Sequence, residues 1–469
     1  MALAVGGALI FWRLTDKSLF IDEAFSLAMA RLPVAQLFRA AAYRDVHPPL
    51  FYLFARGAVL ALRWPAPDYR YLTAPFGLVT IAAVWALVRR SFGDAAAGLA
   101  ALFVATAPTL VGFDRIFRMY APLAALTTAS WWVLCCALEA RGARAKIAWL
   151  AYFALAIALP YTQYLGWFVV ASQTLFALVR RPVVWPVLVG TCVAALAFIP
   201  WWWALRIQYP AGAQLALNGG ITFDWAGIVR AALTNDGMPP SWTHGFALDA
   251  LFSISTAGVL AAALWLGRTS MLPFWLLPIA LQLLVSAAAG KNLAVPRYFV
   301  YLLPAVAAAF AVATAALLRT PARVAGVALA GLVLFVNGVS LSNTLLVPAY
   351  QTPDWYAADL LLAKNERPGD AFVFDQGMPL LIMQDYATVR GHRAYAVDSA
   401  RQLPDALRWL DRRAQSRVWY VANQAFNADP HAAVLKALRA SRPQLGFWVQ
   451  PHVAPEDVVY LALFGPKRR

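Results

Sequence analysis

Apolar stretches of membrane-crossing length follow one another from Tyr71 to Val347, separated by short loops. Each approaches the ~20 residues that span about 30 Å of hydrocarbon, so the pattern predicts a helical bundle in a bilayer. A shorter run, Ala2 to Trp12, precedes them and at 1.5 Å per residue reaches roughly 16 Å. Either the true start lies upstream or neighbouring helices complete that crossing. It lacks the basic lead and small-residue cleavage site of a signal peptide and reads as a retained helix. The basic residues set the direction of the spans. Arg89 and Arg90, Arg141 with Arg144 and Lys146, Arg180 with Arg181, Arg268, and Arg319 with Arg323 all sit in short loops, which the positive-inside tendency puts in the cytoplasm. Residues 113–119, 161–164, 205–245 and 290–296 then face out. With Asp22 outside, an even number of crossings must separate His47 from Asp114, yet three apolar segments lie there. Leu50 to Leu62 is short, carries Arg56 and ends in Trp64-Pro65, so it is read as an interfacial helix. About eleven spans remain: residues 1–14, 70–89, 95–112, 119–138, 146–160, 163–180, 183–204, 247–266, 271–289, 298–318 and 324–347.

After Val347 the pattern changes. Helix-like runs (Trp355 to Asn365, Pro404 to Ala414, His431 to Ala440) alternate with strand-like runs (Ala371 to Phe374, Arg417 to Val421, Val458 to Phe464), the signature of a small α/β domain. The predicted organisation is a transmembrane domain over 1–348 and a soluble domain over 349–469, the latter on the outer side, with Pro348 and Pro353 in the junction. No fixed-period repeat is present, and no paired broken helices mark inverted halves as in a secondary transporter.

Composition narrows the class further. With 61% hydrophobic and 13% charged residues, the chain is polytopic. The 39 Lys plus Arg against 23 Asp plus Glu give +16, which suits basic loops against anionic lipid. Nucleic acid is not an expected partner, because no basic arm with interleaved aromatics is present. Cys135, Cys136 and Cys192 all lie in apolar segments, which argues against a disulfide framework or a cysteine metal site. His47, His244, His392, His431 and His452 lack metal-ligand spacing. No metal site and no firm cofactor are implied, and a divalent ion has no support in the pattern.

The first outer loop, residues 15–69, carries the candidate chemistry. Ser18 to Leu32 reads as an amphipathic helix opened by Asp22 or Ser18, and Pro33 starts a second, Val34 to Tyr43. The loop closes with Asp45-Val46-His47-Pro48-Pro49-Leu50. Pro48 holds His47 extended, and Pro49 suits the start of the next helix. His47 is thereby set beside a helix N-terminus, where unpaired amides favour an anion such as phosphate. Asp22 and Glu23 are adjacent acids near a membrane surface, where lost hydration makes a carboxylate costly without a purpose.

The order of Asp22-Glu23 and Asp45-Val46-His47-Pro48-Pro49-Leu50 after a first membrane helix resembles the protein O-mannosyltransferases and their bacterial relatives, including the aminoarabinose transferases of lipid A. These are C-type, polyprenyl-phosphate-dependent glycosyltransferases. Phe117-Arg118-Met119-Tyr120 resembles a helix opening in the bacterial members. Tyr161-Thr162-Gln163-Tyr164-Leu165-Gly166 resembles their aromatic outer turn, and Arg297-Tyr298 followed by Pro304 a late helix entry. The resemblance covers roughly residues 1–345. One position departs: where the bacterial pattern carries an acid two residues before the arginine, this chain has Ile116, and the nearest acid is Asp114.

The resemblance implies an all-α membrane domain of the C-type glycosyltransferase (GT-C) fold with juxtamembrane helices in its first outer loop. It implies an inverting transfer from a polyprenyl (undecaprenyl-type) phosphate sugar to a lipid, glycan or protein acceptor, on the periplasmic face of a bacterial inner membrane. That chemistry needs one base for a weakly nucleophilic hydroxyl and cations for a phosphate that leaves unprotonated. Unlike glycoside hydrolysis, it needs no second carboxylate as acid. The resemblance assigns Asp22 as base, Glu23 as orienting or sugar-binding, and Asp114 as a candidate for the missing acid. His47, Arg115, Arg118, Tyr120, Gln163, Tyr164, Lys291, Arg297 and Tyr298 are the candidates for donor-phosphate and substrate contacts.

Plainer readings stand beside these. Asp22 caps the helix that follows, with Glu23 on its dipole; His47 is a turn residue fixed by two prolines; Asp114 pairs with Arg118 at the surface. Lys291 and Arg297 anchor helix ends at headgroups, and Gln163 and Tyr164 belong to an aromatic belt. The alternative function is a transporter or flippase of lipid-linked sugars, against which stands the near absence of charge within the spans. Oligomeric state is not encoded legibly.

Overall fold

The computed structural model describes residues 1–179, 184–208, 225–239, 246–289, 293–351, 353–375, 378–384, 392–397, 399–423, 429–450 and 458–467. Packing divides the chain into two compact units. The first holds Met1–Leu14, Met29–Leu62 and Arg70–Thr344; the second holds Thr15–Ala28, Arg63–Tyr69 and Leu345–Arg469. The expected boundary near residue 348 thus describes the second unit incompletely, since two pieces of the first loop are grouped with the C-terminal region.

In the first loop, α2 (Ile21–Arg31), α3 (Val34–Arg44) and α4 (Leu50–Leu62) follow the predicted helices, after α1 (Ala2–Phe11). α5 (Arg70–Thr106) covers the expected span at 70–89 and most of that at 95–112 as two helical segments in series. It is broken at Gly93, whose φ of 82° only glycine adopts without strain. It stops at Thr106 because Pro108 opens the short α6 (Pro108–Asp114). Then come α7 (Tyr120–Glu139), α8 (Gly142–Thr162), α9 (Gly166–Val179), α10 (Val184–Phe198), α11 (Trp225–Thr234), α12 (Phe246–Leu266) and α13 (Leu272–Ala289). A 3-10 turn, Pro296–Leu302, leads into α14 (Leu303–Leu318), and α15 (Arg323–Leu346) ends the series. Among the described residues, six helical stretches are long and apolar enough to cross a membrane, and five further apolar helices are shorter.

α5 packs against α1, α7 and α14. The residues buried there are small, with Ala74, Ala97, Ala100, Ala305, Ala308 and Ala309 all fully covered. Small side chains let helix backbones approach closely, which supplies the van der Waals packing that holds helices together where lipid is as apolar as they are. By contrast α15 exposes Val324, Val327, Leu332 and Phe335, as a lipid-facing helix does.

The second unit is built on a five-stranded sheet of order β2-β1-β3-β5-β4: β1 (Ala371–Asp375), β2 (Arg393–Val397), β3 (Val418–Ala422), β4 (Gln444–Gln450) and β5 (Val459–Phe464). β1 pairs in parallel with β2 and β3, whereas β5 runs antiparallel to β3 and β4. α16 (Trp355–Asn365), α17 (Met378–Met383), α18 (Leu403–Asp411) and α19 (Ala433–Ser441) complete it. The continuous apolar run Ala371-Phe372-Val373-Phe374 is buried on both faces, as central parallel strands are. Before β1, the Asp370 carboxylate takes two guanidinium bonds from Arg417 (2.9 and 2.6 Å) and one from the Trp419 indole (3.0 Å).

At the far end of β1, Asp375 is fully buried and accepts the Tyr420 hydroxyl at 2.7 Å. Burial, together with the neighbouring Asp429 carboxylate, pushes its carboxyl up to about 7 against the pull of Tyr420. The Oδ1 atoms of Asp375 and Asp429 take no donor from any other described group. A proton held by Asp375 and directed at Asp429 satisfies both oxygens.

Candidate active site

The corner between α3 and α4 gathers four polar side chains of the first unit. Asp45, extended at φ −134°, closes α3. Its Oδ1 lies 2.9 Å from His47 Nδ1, and its Oδ2 accepts the Tyr52 hydroxyl from the first turns of α4 at 2.5 Å. Arg118 Nη1 donates to the same Tyr52 oxygen at 3.1 Å. All four groups are nearly buried. Burial alone raises the Asp45 carboxyl, but the His47 ring, the Arg118 guanidinium and the Tyr52 hydroxyl outweigh it and hold it at about 2. An ionised carboxylate only accepts, so Nδ1 of His47 carries the proton. Nε2 meets no hydrogen-bond partner among the described residues and is the working end of the ring. Neutral, it offers a lone pair; cationic, a donor for an anion.

Local sequence explains the geometry. Pro48 keeps His47 extended, and the Pro49 carbonyl accepts the first helical bond of α4, from the amide of Leu53, at 3.0 Å. Arg118 is aimed by its neighbours. Phe117 packs on Phe51 with ring centres 5.3 Å apart, and the Ile116 carbonyl accepts the Thr73 hydroxyl of α5 at 3.0 Å. Tyr164 joins through a residue that the sequence reading did not single out. Its hydroxyl accepts the Trp201 indole at 2.8 Å and donates to Gln208. Gln208 in turn donates to the carbonyls of Ala41 (2.6 Å) and His47 (3.3 Å). Gln163, one residue earlier, is buried with an amide oxygen that has no partner among the described residues.

Beside this cluster lies an apolar cavity of about 610 Å³, lined by Phe38, Pro49, Leu50, Leu53, Tyr161 and Trp201 among others. α4 therefore serves both: Tyr52 belongs to the polar cluster, and Leu50 and Leu53 line the cavity.

The other candidates are placed separately. Arg115 closes α1, its guanidinium donating to the carbonyls of Leu9 (2.9 Å), Ile10 (2.7 Å) and Arg13 (3.3 Å). Asp114 is not a surface partner of Arg118: it is buried, its carboxyl is raised by that burial, and no described cation pairs with it. Its Oδ2 lies where a Cβ on Gly77 would come within 2.2 Å, so α5 needs glycine there. Tyr120 is buried edge-to-face on Phe113 at 4.7 Å. Arg297 is exposed and lies over the Tyr298 ring at 5.6 Å, and Lys291 lies outside the described residues.

Asp22 and Glu23 belong to the second unit, on the first turn of α2. Helix opening differs from expectation: the Glu23 carboxylate, fully buried, accepts the Phe20 amide at 2.8 Å. This is one half of a capping box. Ser18 is engaged elsewhere. Asp22 is half-buried, and its carbonyl accepts the Ser26 hydroxyl at 2.9 Å.

The fold is that of the C-type glycosyltransferases. Residues 46–203 match the family model of dolichyl-phosphate-mannose-protein mannosyltransferases, a segment that contains the His47, Tyr52 and Arg118 cluster. Among solved structures, ArnT from Cupriavidus metallidurans bound to undecaprenyl phosphate is similar at a TM-score of 0.55 and 15% identity, over 98% of this chain and 97% of that one. The oligosaccharyltransferase AglB from Archaeoglobus fulgidus, in complex with an inhibitory peptide and a dolichol-phosphate, is similar at 0.53 and 13%, over 98% and 73%. No curated protein matches. The superfamily resemblance read from the motifs thus holds, in the fold and in this segment.

Proposed function

We propose that the protein is a multi-pass glycosyltransferase of a bacterial inner membrane, with about eleven crossings. It moves a sugar from an undecaprenyl-type phosphate to an acceptor hydroxyl or phosphate on the periplasmic face, with inversion. The observation that carries this is the pairing on α4 of a polar cluster with an apolar cavity: His47 Nε2 and Arg118 suit a phosphate, and the cavity suits an isoprenoid chain. The relatives of this fold were solved with undecaprenyl phosphate and dolichol-phosphate, which supports the same donor class here.

The resemblance assigns Asp22 as the base, and the surroundings of the other candidate acids are in keeping with that assignment. Asp45 is saturated by donors, and a carboxylate held at about 2 is a poor proton acceptor. Burial raises the Asp114 carboxyl above the usual carboxylate range, and Glu23 is buried against the Phe20 amide. Asp22 is half-buried on the first turn of α2. In this reading it takes the acceptor proton as the anomeric carbon–phosphate bond breaks, and the phosphate leaves as a dianion stabilised by cations.

The test is turnover of undecaprenyl phosphate sugars, tritiated in a mannose, glucose or aminoarabinose, by the purified full-length protein with cell-envelope extract as acceptor. Release of undecaprenyl phosphate coupled to label in the acceptor is expected. Movement of intact lipid-linked sugar across vesicles without cleavage would establish the flippase instead.

A further inference from the structure

Ser18, just before α2, is a buried hydroxyl, only 5% exposed. It donates to Asp354 Oδ1 at 2.8 Å and accepts the Tyr356 amide at 2.8 Å. Asp354 is the N-cap of α16, and its Oδ1 also accepts the Ala357 amide at 2.9 Å. A helix leaves its first amides without internal partners, and a single capping side chain satisfies one of them. Here the second, that of Tyr356, is satisfied by a residue 338 positions earlier in the chain. α16 is itself firmly seated, with Trp355, Ala358 and Leu362 buried.

The consequence lies four residues on. Only Leu19, Phe20 and Ile21 separate Ser18 from Asp22, and the Phe20 amide is held by the Glu23 carboxylate. Asp22 therefore sits between two fixed points, the α16 cap on one side and its own helix opening on the other. The same pattern appears at a larger scale, since residues Thr15–Ala28 pack as part of the unit that contains Leu345–Arg469.

We propose that Ser18, latched to Asp354 and Tyr356, is a positioning residue that lets the C-terminal domain hold the catalytic carboxylate of Asp22. The domain is then a platform for the base. This inference rests on the assignment of Asp22 as base. Loss of the latch leaves donor binding intact and lowers the chemical step, because misplacement of a reacting group by about 1 Å costs up to a hundredfold.

The experiment compares Ser18→Ala, Ser18→Thr, Asp354→Ala and Asp22→Asn in the full-length protein, using the tritiated donors above. Expected for Ser18→Ala and Asp354→Ala is a fall in kcat of roughly tenfold to a hundredfold, with donor KM within about twofold and recovery in Ser18→Thr. Amide exchange is expected to rise in residues 18–24 while the β1 and β3 core stays protected, which separates a lost latch from unfolding. Unchanged kcat in Ser18→Ala beside an inactive Asp22→Asn would overturn the latch alone. Wild-type turnover in Asp22→Asn would overturn the base assignment on which it rests. Equal losses in kcat and donor affinity, with exchange rising throughout the sheet, would reduce Ser18 to a stability residue.

Discussion

The two halves of the first outer loop handle their carboxylates in opposite ways. In the second half Asp45 is built into a closed network, taking donors from His47 and Tyr52 with Arg118 behind them, and its pKa falls to about 2. In the first half Asp22 stands half-buried on a helix turn whose opening is secured by its neighbour, Glu23. A carboxylate whose negative charge is already matched by donors orients a histidine well and accepts a proton poorly. In the proposed reaction the contrast separates two tasks that acidic motifs in a sequence do not distinguish: Asp45 would shape the binding of phosphate, and Asp22 would perform the chemistry.

The largest effect is expected from Asp22→Asn, which removes the base while keeping the shape. Turnover should fall roughly a hundredfold to ten-thousandfold, and steady-state assays giving less than a threefold change would dissolve the contrast. Arg118→Ala should come next. Losing a charged donor costs about 1.5–3 kcal/mol, so affinity for undecaprenyl phosphate should drop roughly tenfold to a hundredfold in a binding titration; unchanged affinity would confine Arg118 to holding Tyr52.

The soluble unit sharpens the same lesson with a third kind of carboxyl. Asp375 has a folded value near 7 against about 4 unfolded, so the folded state holds its proton more tightly. Stability from this group is present at low pH and is lost as pH rises from about 4 through 7, by up to about 4 kcal/mol. Hydrogen exchange at β1 and β3 in the full-length protein should quicken between pH 5 and 8, and Asp375→Asn should flatten that dependence. A profile identical in the variant would remove the proton from Asp375. The smallest effect belongs to Arg297→Ala. An exposed cation over a tyrosine ring should change donor affinity only about twofold; a change above tenfold would bring that helix entry into the phosphate site.

Much of this was legible along the chain because membrane helices announce themselves by length and continuity. α4 was recognisable as a short apolar helix between prolines and tryptophan, and α16 falls on the predicted residues 355–365. β2 and β4 were not read. β4 turns Leu445, Phe447 and Val449 outward and carries Gly446, so it lacks the buried alternation by which strands are found. The Asp45 network was half legible, since His47 stood out before two prolines, whereas Tyr52 and Arg118 meet Asp45 only after the chain folds. An acid two residues before the histidine was the one local signal. Gln208 left none, because its role depends on main-chain carbonyls of Ala41 and His47, which no side-chain pattern records. The latch of Ser18 on Asp354 spans most of the chain and was read instead as a local helix cap.

The division of labour is most directly tested by loading wild type, Asp22→Asn and Asp45→Asn with tritiated undecaprenyl phosphate sugar and following a single turnover on addition of acceptor. The account predicts that Asp22→Asn binds donor like wild type and transfers almost none of it. It predicts that Asp45→Asn binds more weakly yet transfers its bound fraction at close to the normal rate. Rapid transfer by Asp22→Asn, or a silent Asp45→Asn with donor fully bound, would contradict it.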